Sequence, residues 1–324
     1  GLIFFFFQLH LFSKMEHSFT LNDNRQHPAV GLGTYKVGFI PGSASGQNGV
    51  PSVRDDHDLP NILKVAIVEQ GCRLLDCAAY YENEDRIGKA LEGLVPREEL
   101  FLVSKVWCNA IYEGPEAVRA QVEKSISDLK ADYLDLCLIH WPVPGKHVEA
   151  FKCLDELRRE GKIKSIGVSN YTIEDLQELQ AETNITPAVN QIEVNPFLFR
   201  EKTISFCREK GILVQAYRPL RNGKEMEHPL LKDLAQKYGC TVAQLMGKFL
   251  VQQGIVLLSK SVNLDRIKEN LSLPTSPISE EDLAAMRGLT TPDALQAAAE
   301  LYQKCTVRDT PLPESAARTE FTKE

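Results

Sequence analysis

The sequence lacks the concentration of positive charge that marks nucleic-acid-binding proteins. Its 324 residues include 37 Lys and Arg against 44 Asp and Glu, which gives a formal net charge of -7. No basic run interleaved with aromatic residues occurs, although phosphate contacts depend on clustered Lys and Arg. We therefore expect no nucleic-acid partner.

Paired cysteines are also missing. The two nearest of the 8 cysteines, Cys72 and Cys77, are not in CxxC spacing, and no group of Cys and His has the spacing of a zinc site. A metal centre is therefore not predicted. Cysteines scattered singly are typical of reduced, buried thiols in a cytoplasmic protein.

Long hydrophobic runs are absent as well. A membrane-spanning helix needs about 20 apolar residues, and the most apolar stretch, within residues 2–12, is shorter than that. No membrane association is predicted. The four consecutive phenylalanines, Phe4–Phe7, instead predict a segment that packs on the rest of the chain or on a second copy. We interpret residues 1–14 as an apolar N-terminal extension and expect a monomer or a weak homodimer formed through it.

Short apolar runs alternate with amphipathic helical segments along the rest of the chain. Helices are predicted at 116–130 and 148–160, the second ending at Gly161. The eight strand candidates are Val30–Gly33, Arg73–Asp76, Phe101–Lys105, Leu134–His140, Ile163–Val168, Ala188–Val194, Ile212–Tyr217 and Ile255–Ser259. Eight strand–helix units predict a parallel sheet that closes into a (β/α)8 TIM barrel, with residues 15–324 as one α/β domain.

Three further features bear on this fold. The segment Ser18-Phe19-Thr20-Leu21 leads into a turn cluster at Asn22-Asp23-Asn24, which predicts an N-terminal β-hairpin at the barrel floor. Residues 38–58 are rich in Gly, Ser, Pro and Asp and predict a long surface loop. An open doubly wound sheet is the alternative fold, but its G-x-G-x-x-G mark is missing, because Gly31-Leu32-Gly33 is followed by Thr34-Tyr35-Lys36.

Polar residues stand at the carboxyl ends of the predicted strands. In a TIM barrel such positions ring one mouth, where the active site lies. Each residue alone is weak evidence, because a single Asp, Lys or His at a strand end is common in structural roles. These residues are Gly33, Asp76, Lys105, His140, Asn170, Gln191, Tyr217 and Lys260.

Four of the residues near this mouth match the needs of one reaction. A carbonyl that accepts hydride develops negative charge on oxygen and needs a proton there. Tyr81 is the candidate donor, and its ordinary pKa of about 10 is poorly matched to neutral pH. A neighbouring Lys105 ammonium is expected to lower that pKa. Asp76 is expected to keep Lys105 charged, while His140 and Tyr81 bind the carbonyl oxygen.

Seven segments between about residues 15 and 285 carry a recognisable pattern. They are Gly31–Tyr35, Asp76–Glu84, Ser104–Trp107, Leu138–Pro142, Ile166–Asn170, Asn190–Glu193 and Lys260–Asn270. Jointly these segments resemble the aldo-keto reductases, most closely the aldose and aldehyde reductases. The resemblance implies a TIM barrel that binds NADPH without a Rossmann fold and reduces aldehydes or ketones, sugar aldehydes among them. Family members that reduce a steroid carbon–carbon double bond carry Glu at the position of His140, so the histidine implies carbonyl reduction.

The resemblance also implies a cofactor site for NADPH or NADP+. Tyr217 offers a ring to stack on the nicotinamide, and Lys260 and Arg266 offer cations for a 2′-phosphate, which favours NADPH over NADH. Without the resemblance, polar residues such as Ser169 are equally well explained as helix caps. The predicted cofactor residues are Gly33, Thr34, Ser169, Asn170, Gln191, Tyr217, Arg218, Leu220, Lys260, Ser261, Val262, Arg266, Glu269 and Asn270.

The chain departs from the family at the substrate side. Tyr35 stands where the family carries Trp, and Arg218 stands where it carries Ser. Tyr35, Trp107 and Trp141 are the predicted substrate contacts. The tail after residue 285 matches the family poorly and predicts only a short helix around Ala294–Tyr302. Short loops predict an open mouth unless this tail covers it.

Two other functions are compatible with parts of this pattern. One is a non-catalytic NADPH-binding subunit of the same fold that senses redox state or serves structurally. The complete set of four reaction residues favours an enzyme over this alternative. The other is an isomerase or aldolase on the same barrel, which would leave the cluster between Lys260 and Asn270 without a purpose.

Overall fold

The computed structural model describes residues 18–38 and 58–318. The strands of these residues are β1 Ser18–Thr20, β2 Gln26–Pro28, β3 Val30–Gly33, β4 Leu74–Asp76, β5 Phe101–Val106, β6 Leu134–Ile139, β7 Ile163–Ser169, β8 Val189–Glu193, β9 Leu213–Tyr217 and β10 Val256–Ser259. Strands β3 to β10 form a closed barrel in the order β10, β3, β4, β5, β6, β7, β8, β9. All pairings around the barrel are parallel.

Helices follow the barrel strands and cover the outside. They are α1 Leu59–Leu63, α2 Glu84–Leu91, α3 Cys108–Glu113, α4 Pro115–Asp128, α5 His147–Arg159, α6 Ile173–Thr183, α7 Glu201–Glu209, α8 Pro229–Tyr238, α9 Val242–Gln252, α10 Leu264–Leu271, α11 Glu280–Arg287 and α12 Pro292–Thr306. The chain turns away after α5 at Gly161, whose φ of 83° is accessible to glycine at little cost. The short helix predicted near residue 300 is longer than expected, because Thr291 caps a helix of 15 residues.

The predicted (β/α)8 barrel is confirmed, and the open doubly wound alternative is wrong. The sheet closes because β10 pairs with β3, where Leu257 lies opposite Val30 and Leu258 opposite Gly31. All six residues of β5 are buried, as expected for a parallel strand whose two faces are both covered.

Two apolar layers hold the barrel together. The inner layer fills the barrel with side chains such as Leu74, Val103, Leu136 and Leu258. The outer layer lies between the strands and the surrounding helices. Helix α2 packs especially close to the end of α4, because a Cβ at Gly88 would lie 2.1 Å from the Asp128 carbonyl oxygen. This close approach fixes the helix that directly follows Tyr81.

The hairpin of β1 and β2 closes the floor of the barrel, as predicted. Leu21 in its turn is buried in the inner apolar layer. The Asn22 side chain donates to the Pro187 carbonyl oxygen at 3.1 Å, and Ser165 donates to the Asp23 carboxylate at 2.6 Å. These contacts join the hairpin to the amino-terminal ends of the strands, so the opposite end is left for the site.

His27 is a fully buried histidine in this floor. Its ring contacts Phe101 at 4.4 Å between centroids. The Nδ1–H donates to the Pro28 carbonyl at 2.8 Å, and Nε2 accepts from the Gln215 amide at 2.7 Å. Burial lowers the pKa of His27 from 6.5 to about 4. The neutral ring with both nitrogens engaged is therefore the native form.

This buried ring predicts an acid-labile floor. The folded state binds fewer protons than the unfolded state between pH 6.5 and about 4, so stability is complete above pH 6.5 and falls as the pH drops through that window. The loss attributable to His27 reaches about 3 kcal/mol. Urea unfolding at several pH values should show a shallower fall for His27→Gln than for the wild type. Identical pH dependence in the two proteins would contradict this role.

Several sequence expectations fall outside or only partly within the described chain. The apolar extension of residues 1–14 lies outside it, as do residues 39–57 of the predicted surface loop. All 8 cysteines are in the described part, and their thiols are free. The helices of residues 18–38 and 58–318 include none with the length and apolar character needed to cross a bilayer.

Candidate active site

A cavity of about 1330 Å³ opens at the carboxyl ends of the barrel strands. We refer to it as the mouth cavity. Seven of the eight polar strand-end positions predicted from the sequence line it, namely Gly33, Asp76, His140, Asn170, Gln191, Tyr217 and Lys260. The eighth, Lys105, lies just behind the lining with 1% of its surface exposed. The volume exceeds the roughly 300–1,000 Å³ of pockets for drug-sized ligands.

Strand register brings Lys105 to Asp76. Asp76 lies opposite Val103 on the neighbouring strand, and Lys105 is two residues further on, hence on the same face of the sheet. The Lys105 ammonium lies 2.7 Å from the Asp76 carboxylate, with both side chains almost fully buried. It also donates to the Cys77 carbonyl at 2.8 Å and to the Tyr81 hydroxyl oxygen at 3.1 Å. The three N–H groups of the ammonium are therefore all engaged.

Tyr81 reaches this ammonium because the chain makes a 3₁₀ turn over Ala79–Tyr81 directly after β4. Asn83 holds this turn in place, because its side-chain amide donates to the backbone carbonyls of Thr34 and Val37 at 2.9 and 2.7 Å. The Tyr81 hydroxyl accepts from Lys105, so its own proton is available to a group in the mouth cavity. This arrangement suits a proton donor.

The direction of the Tyr81 pKa differs from the sequence-based expectation. Burial raises the pKa of the phenol well above its usual value, and the Asp76 carboxylate raises it further. The positive charge of Lys105 does not offset these effects, because Asp76 balances it at 2.7 Å. Tyr81 therefore holds its proton at neutral pH, and Lys105 is placed to stabilise the phenolate only once the proton has left.

His140 follows β6 and lies beside Tyr81. Its ring is 5.9 Å from the Tyr81 ring and 4.9 Å from the Trp107 ring, both edge-on. Burial, followed by the charge of Lys105, lowers the pKa of His140 well below 6.5. The imidazole is therefore neutral, and its buried Nδ1 has no hydrogen-bond partner among residues 18–38 and 58–318. Such a ring is a hydrogen-bonding group rather than a source of charge.

The predicted cofactor residues with amide or hydroxyl side chains, Ser169, Asn170 and Gln191, lie together on the cavity wall. Hydrogen bonds link them. Ser169 donates to the Gln191 carbonyl at 2.8 Å and accepts from the Asn170 amide at 3.1 Å. The Tyr217 hydroxyl donates to Asn170 at 2.7 Å. The Gln191 side-chain amide donates inside the barrel to the Asp76 carboxylate and to the Gln215 side-chain oxygen, each at 2.8 Å. Its side chain therefore also supports the Asp76 carboxylate.

A second end of the mouth cavity is formed after β10. Gly33 approaches this end closely, since a Cβ there would lie 3.6 Å from the Lys260 Cβ. Asn263 is the N-cap of α10, and its side-chain oxygen accepts from the backbone N–H of Arg266 at 3.1 Å. The lining contributed by this segment is Lys260, Ser261, Val262, Asn263, Arg266, Glu269 and Asn270. Cations at the start of a helix suit a phosphate group.

Two of the predicted cofactor residues, Thr34 and Arg218, have side chains that bond to other residues of the protein. Thr34 is fully buried and does not line the cavity; its hydroxyl instead donates to the Asp76 carbonyl at 3.0 Å. Arg218 lines the cavity, but its guanidinium pairs with Glu193 at 3.3 Å. Leu220 and the predicted substrate contacts Tyr35, Trp107 and Trp141 all line the cavity.

The C-terminal segment supplies residues that the sequence did not reveal. Leu301, Cys305 and Arg308 line the mouth cavity. Asp309 accepts from the Trp107 indole at 2.8 Å. The tail therefore covers part of the mouth, which short loops alone would leave open. Weak similarity to the family in this region left no motif from which to find these residues.

This tail is anchored at one buried carboxylate. Asp175 caps α6 and accepts from the Tyr302 hydroxyl at 2.8 Å. The Arg318 guanidinium pairs with the same carboxylate at 2.9 Å and also contacts Glu178. The anchor holds α12 and the following turn against the rim of the barrel.

The chain is similar in sequence to known proteins. A family model described as the aldo/keto reductase family matches residues 42–227. An uncharacterized oxidoreductase, YtbE, of Bacillus subtilis is 43% identical over 269 residues, covering 82% of this chain and 89% of that protein. A glyoxal reductase of the same organism is 35% identical over 272 residues, covering 84% and 92%.

Solved structures agree with this similarity. A Bombyx mori aldo-keto reductase in complex with NADP superposes with a TM-score of 0.75 at 30% identity, covering 84% of this chain and 92% of that chain. An aldose reductase of Schistosoma japonicum gives a TM-score of 0.76 at 30% identity, covering 91% and 99%. From the matched family model and the long, well-covered alignments, the chain belongs to the aldo/keto reductase family of oxidoreductases.

Proposed function

We propose that this protein reduces aldehydes and ketones to alcohols with NADPH. One observation carries the proposal. A buried Lys105 ammonium joins the Asp76 carboxylate to the Tyr81 hydroxyl, and the neutral His140 ring lies 5.9 Å from the Tyr81 ring at the cavity wall. A protonated phenol and a neutral imidazole at one point form a site for a carbonyl oxygen.

The lining of the mouth cavity fits NADP(H). The cavity is long enough to be lined both by Tyr81 and by the Lys260–Asn270 segment. Lys260, Ser261 and Arg266 line one end of this cavity, and two cations with a hydroxyl suit the 2′-phosphate of NADP(H). When bound, NADPH supplies the hydride. The NADP complex of the similar Bombyx mori protein supports this choice.

The chain's own residues then have separate tasks. Tyr81 and His140 hydrogen-bond the carbonyl oxygen and orient it. As negative charge develops on that oxygen, Tyr81 gives up its proton to it. Lys105 stabilises the resulting phenolate through its 3.1 Å contact. Asp76, supported by Gln191, keeps the ammonium in place. Tyr217, Ser169 and Asn170 form the wall assigned to the nicotinamide.

The experiment that tests this function measures NADPH absorbance with a panel of aldehydes that includes glyceraldehyde, xylose and an aromatic aldehyde. Consumption that depends on both protein and aldehyde is expected. Tight NADPH binding without consumption of any aldehyde would contradict the enzyme and favour the non-catalytic subunit. The panel also identifies which aldehydes the cavity accepts, sugar aldehydes included.

Replacing the phosphate-binding candidates is expected to change the cofactor preference. Lys260→Ala or Arg266→Ala removes a cation assigned to the 2′-phosphate, so the Kd for NADPH should rise about 10-fold or more. The Kd for NADH, which lacks that phosphate, should change little. Fluorescence titration with both nucleotides makes the measurement. Lys268→Ala on the same helix, whose side chain pairs with Glu69 at 3.1 Å, is the matched control. Equal weakening of both nucleotides would discredit the phosphate assignment.

A further inference from the structure

A continuous chain of hydrogen bonds runs through the interior of the barrel, from the floor to the reaction residues. At the floor, the Pro28 carbonyl accepts from His27 Nδ1–H at 2.8 Å, and His27 Nε2 accepts from the Gln215 side-chain amide at 2.7 Å. The Gln191 side-chain amide donates to the Gln215 oxygen and to the Asp76 carboxylate, each at 2.8 Å. We refer to these five residues as the interior chain. It connects the floor hairpin to Asp76 across the barrel.

The middle of the interior chain is buried. Gln191 and Gln215 lie directly opposite each other on β8 and β9. His27 and Gln215 are fully buried, and Gln191 is 2% exposed. Buried polar groups cost free energy unless each is hydrogen-bonded, and apolar residues of similar size would fill this space without that demand. Filling space therefore does not explain a histidine and two glutamines here.

The orientation of each side chain is fixed from the floor upwards. The Pro28 carbonyl can only accept, so the hydrogen of the neutral His27 ring lies on Nδ1, and Nε2 is an acceptor. An acceptor at Nε2 needs the NH2 of Gln215, which turns the Gln215 oxygen towards Gln191. That oxygen in turn needs an N–H of Gln191. The His27 ring therefore sets which end of the Gln191 amide faces Gln215.

The same orientation is required independently from the other end of the interior chain. The Asp76 carboxylate is an acceptor, so it also needs the NH2 of Gln191. Turning the Gln191 amide over would place its oxygen against the Asp76 and Gln215 oxygens, at the 2.8 Å that now separates donor from acceptor. A polar network in which every member is satisfied is rigid and specifies one arrangement. Gln191 is thus held in one orientation from both sides.

The held amide acts on the oxygen that positions Lys105. The Gln191 amide and the Lys105 ammonium bond to the same oxygen of Asp76, Oδ1, at 2.8 and 2.7 Å. That ammonium lies 3.1 Å from the Tyr81 hydroxyl oxygen. A carboxylate that rotates away from Gln191 would carry the ammonium with it, and small displacements of reacting groups lower rates strongly. The position of Oδ1 therefore matters for the step in which Tyr81 loses its proton.

We propose that Gln215 and His27 are positioning residues for the reduction. They hold the Gln191 amide in the orientation that donates to Asp76, and through Asp76 they keep the Lys105 ammonium in position. This role rests on the proposed function and adds to it two residues on the floor side of the reaction centre. Both lie beneath the lining of the mouth cavity, so they act through Gln191 and not by contact with a bound ligand.

The first test changes the floor residue and measures kcat with the best aldehyde of the panel. His27→Leu removes the acceptor for the Gln215 amide, so kcat should fall about 3- to 10-fold, as expected for the loss of one hydrogen bond. His27→Gln keeps an oxygen acceptor in place of Nε2 and should restore kcat to within about twofold of the wild type. Rates are expressed per NADPH-binding site counted by fluorescence titration, so unfolded protein does not lower them.

Ser165→Ala is the matched control for these floor variants. It loses the 2.6 Å contact with Asp23, which also joins the floor hairpin to the barrel but lies outside the interior chain. Its kcat should equal that of the wild type.

A second test separates positioning from folding. Gln215→Leu should lower kcat about 3- to 10-fold and leave the Kd for NADPH within about twofold. It also leaves His27 Nε2 buried without a donor, so the urea midpoint should fall. The double variant His27→Leu with Gln215→Leu removes both partners, and its midpoint should rise above that of Gln215→Leu. Its kcat should stay low, because Gln191 still lacks an acceptor.

The assigned directions of the hydrogen bonds can be checked without turnover. Nitrogen NMR of the His27 ring should show a neutral imidazole with its hydrogen on Nδ1. Comparison with His27→Gln identifies the signals of this ring among those of the 7 histidines. A hydrogen on Nε2 near neutral pH would reverse the first link and overturn the proposed role.

The kinetic outcomes distinguish this role from the reductase function itself. Unchanged kcat in His27→Leu and Gln215→Leu, with an active wild type, would overturn the positioning role while the reductase function stands. So would a loss in His27→Gln as large as in His27→Leu, or a double variant that recovers kcat together with stability. A wild type that consumes no NADPH with any aldehyde would instead overturn the proposed function, and the positioning role with it.

Discussion

Tyr81→Phe is expected to lower kcat by about 10² to 10⁴-fold, the range by which a positioned general acid speeds a reaction. The substitution removes one hydroxyl, which in the wild type accepts from Lys105 at 3.1 Å and keeps its own proton for the substrate. The ring itself still packs beside Tyr35 and His140. The measurement is single-turnover NADPH oxidation at saturating aldehyde.

The affinity for NADPH separates a chemical role from a structural one. The Kd of Tyr81→Phe should stay close to that of the wild type, because the cofactor residues are untouched. Tyr133→Phe is a matched control on the outside of the barrel, where the ring packs against Arg97 and Lys164, and should keep full activity. Turnover of Tyr81→Phe at the wild-type rate would refute the proton-donor role.

Lys105→Met is expected to have two large effects. It removes the cation that stabilises the phenolate form of Tyr81, so kcat should fall about as far as in Tyr81→Phe. It also leaves the Asp76 carboxylate buried without its counter-charge, which costs about 3–5 kcal/mol of stability. Gln191 still donates to the Asp76 carboxylate in this variant. We therefore expect a loss of stability at the lower end of that range. Urea unfolding and steady-state kinetics measure the two effects.

The double variant Lys105→Met with Asp76→Asn tells these effects apart. With no buried charge left unpaired, most of the lost stability should return. Activity should not return, because the ammonium is still absent. Recovery of turnover in the double variant would mean that the lysine acts only by holding the fold.

Much of the fold was predictable because periodic patterns express it locally. The strands β3 and β5 were found from short apolar runs, and each was placed to within about one residue of its observed end. The hairpin at the floor was found from the turn chemistry of Asn22–Asn24. Helix α12 was underestimated, since its start depends on the Thr291 cap and its burial on contacts with Asp175, which is distant in the chain.

The candidate site was predictable in its members but not in its electrostatics. Strand-end positions of Asp76, Lys105 and His140 are set by the barrel topology, so their convergence follows from the sequence once eight units are counted. The pKa of Tyr81 depends on how deeply the ring is buried and on the balance between two charges. These quantities arise only when the barrel closes, and the sequence-based expectation accordingly had the wrong direction.

The sequence by itself determined the barrel, its floor and the set of polar residues at its mouth, because strand periodicity and chain order dictate which residues reach the carboxyl ends. Tertiary structure alone decided that Tyr81 keeps its proton and that His140 is uncharged. It also decided that the C-terminal segment brings Arg308 to the mouth. These properties depend on burial and on contacts between residues that are distant in the chain, and the local sequence pattern predicts neither.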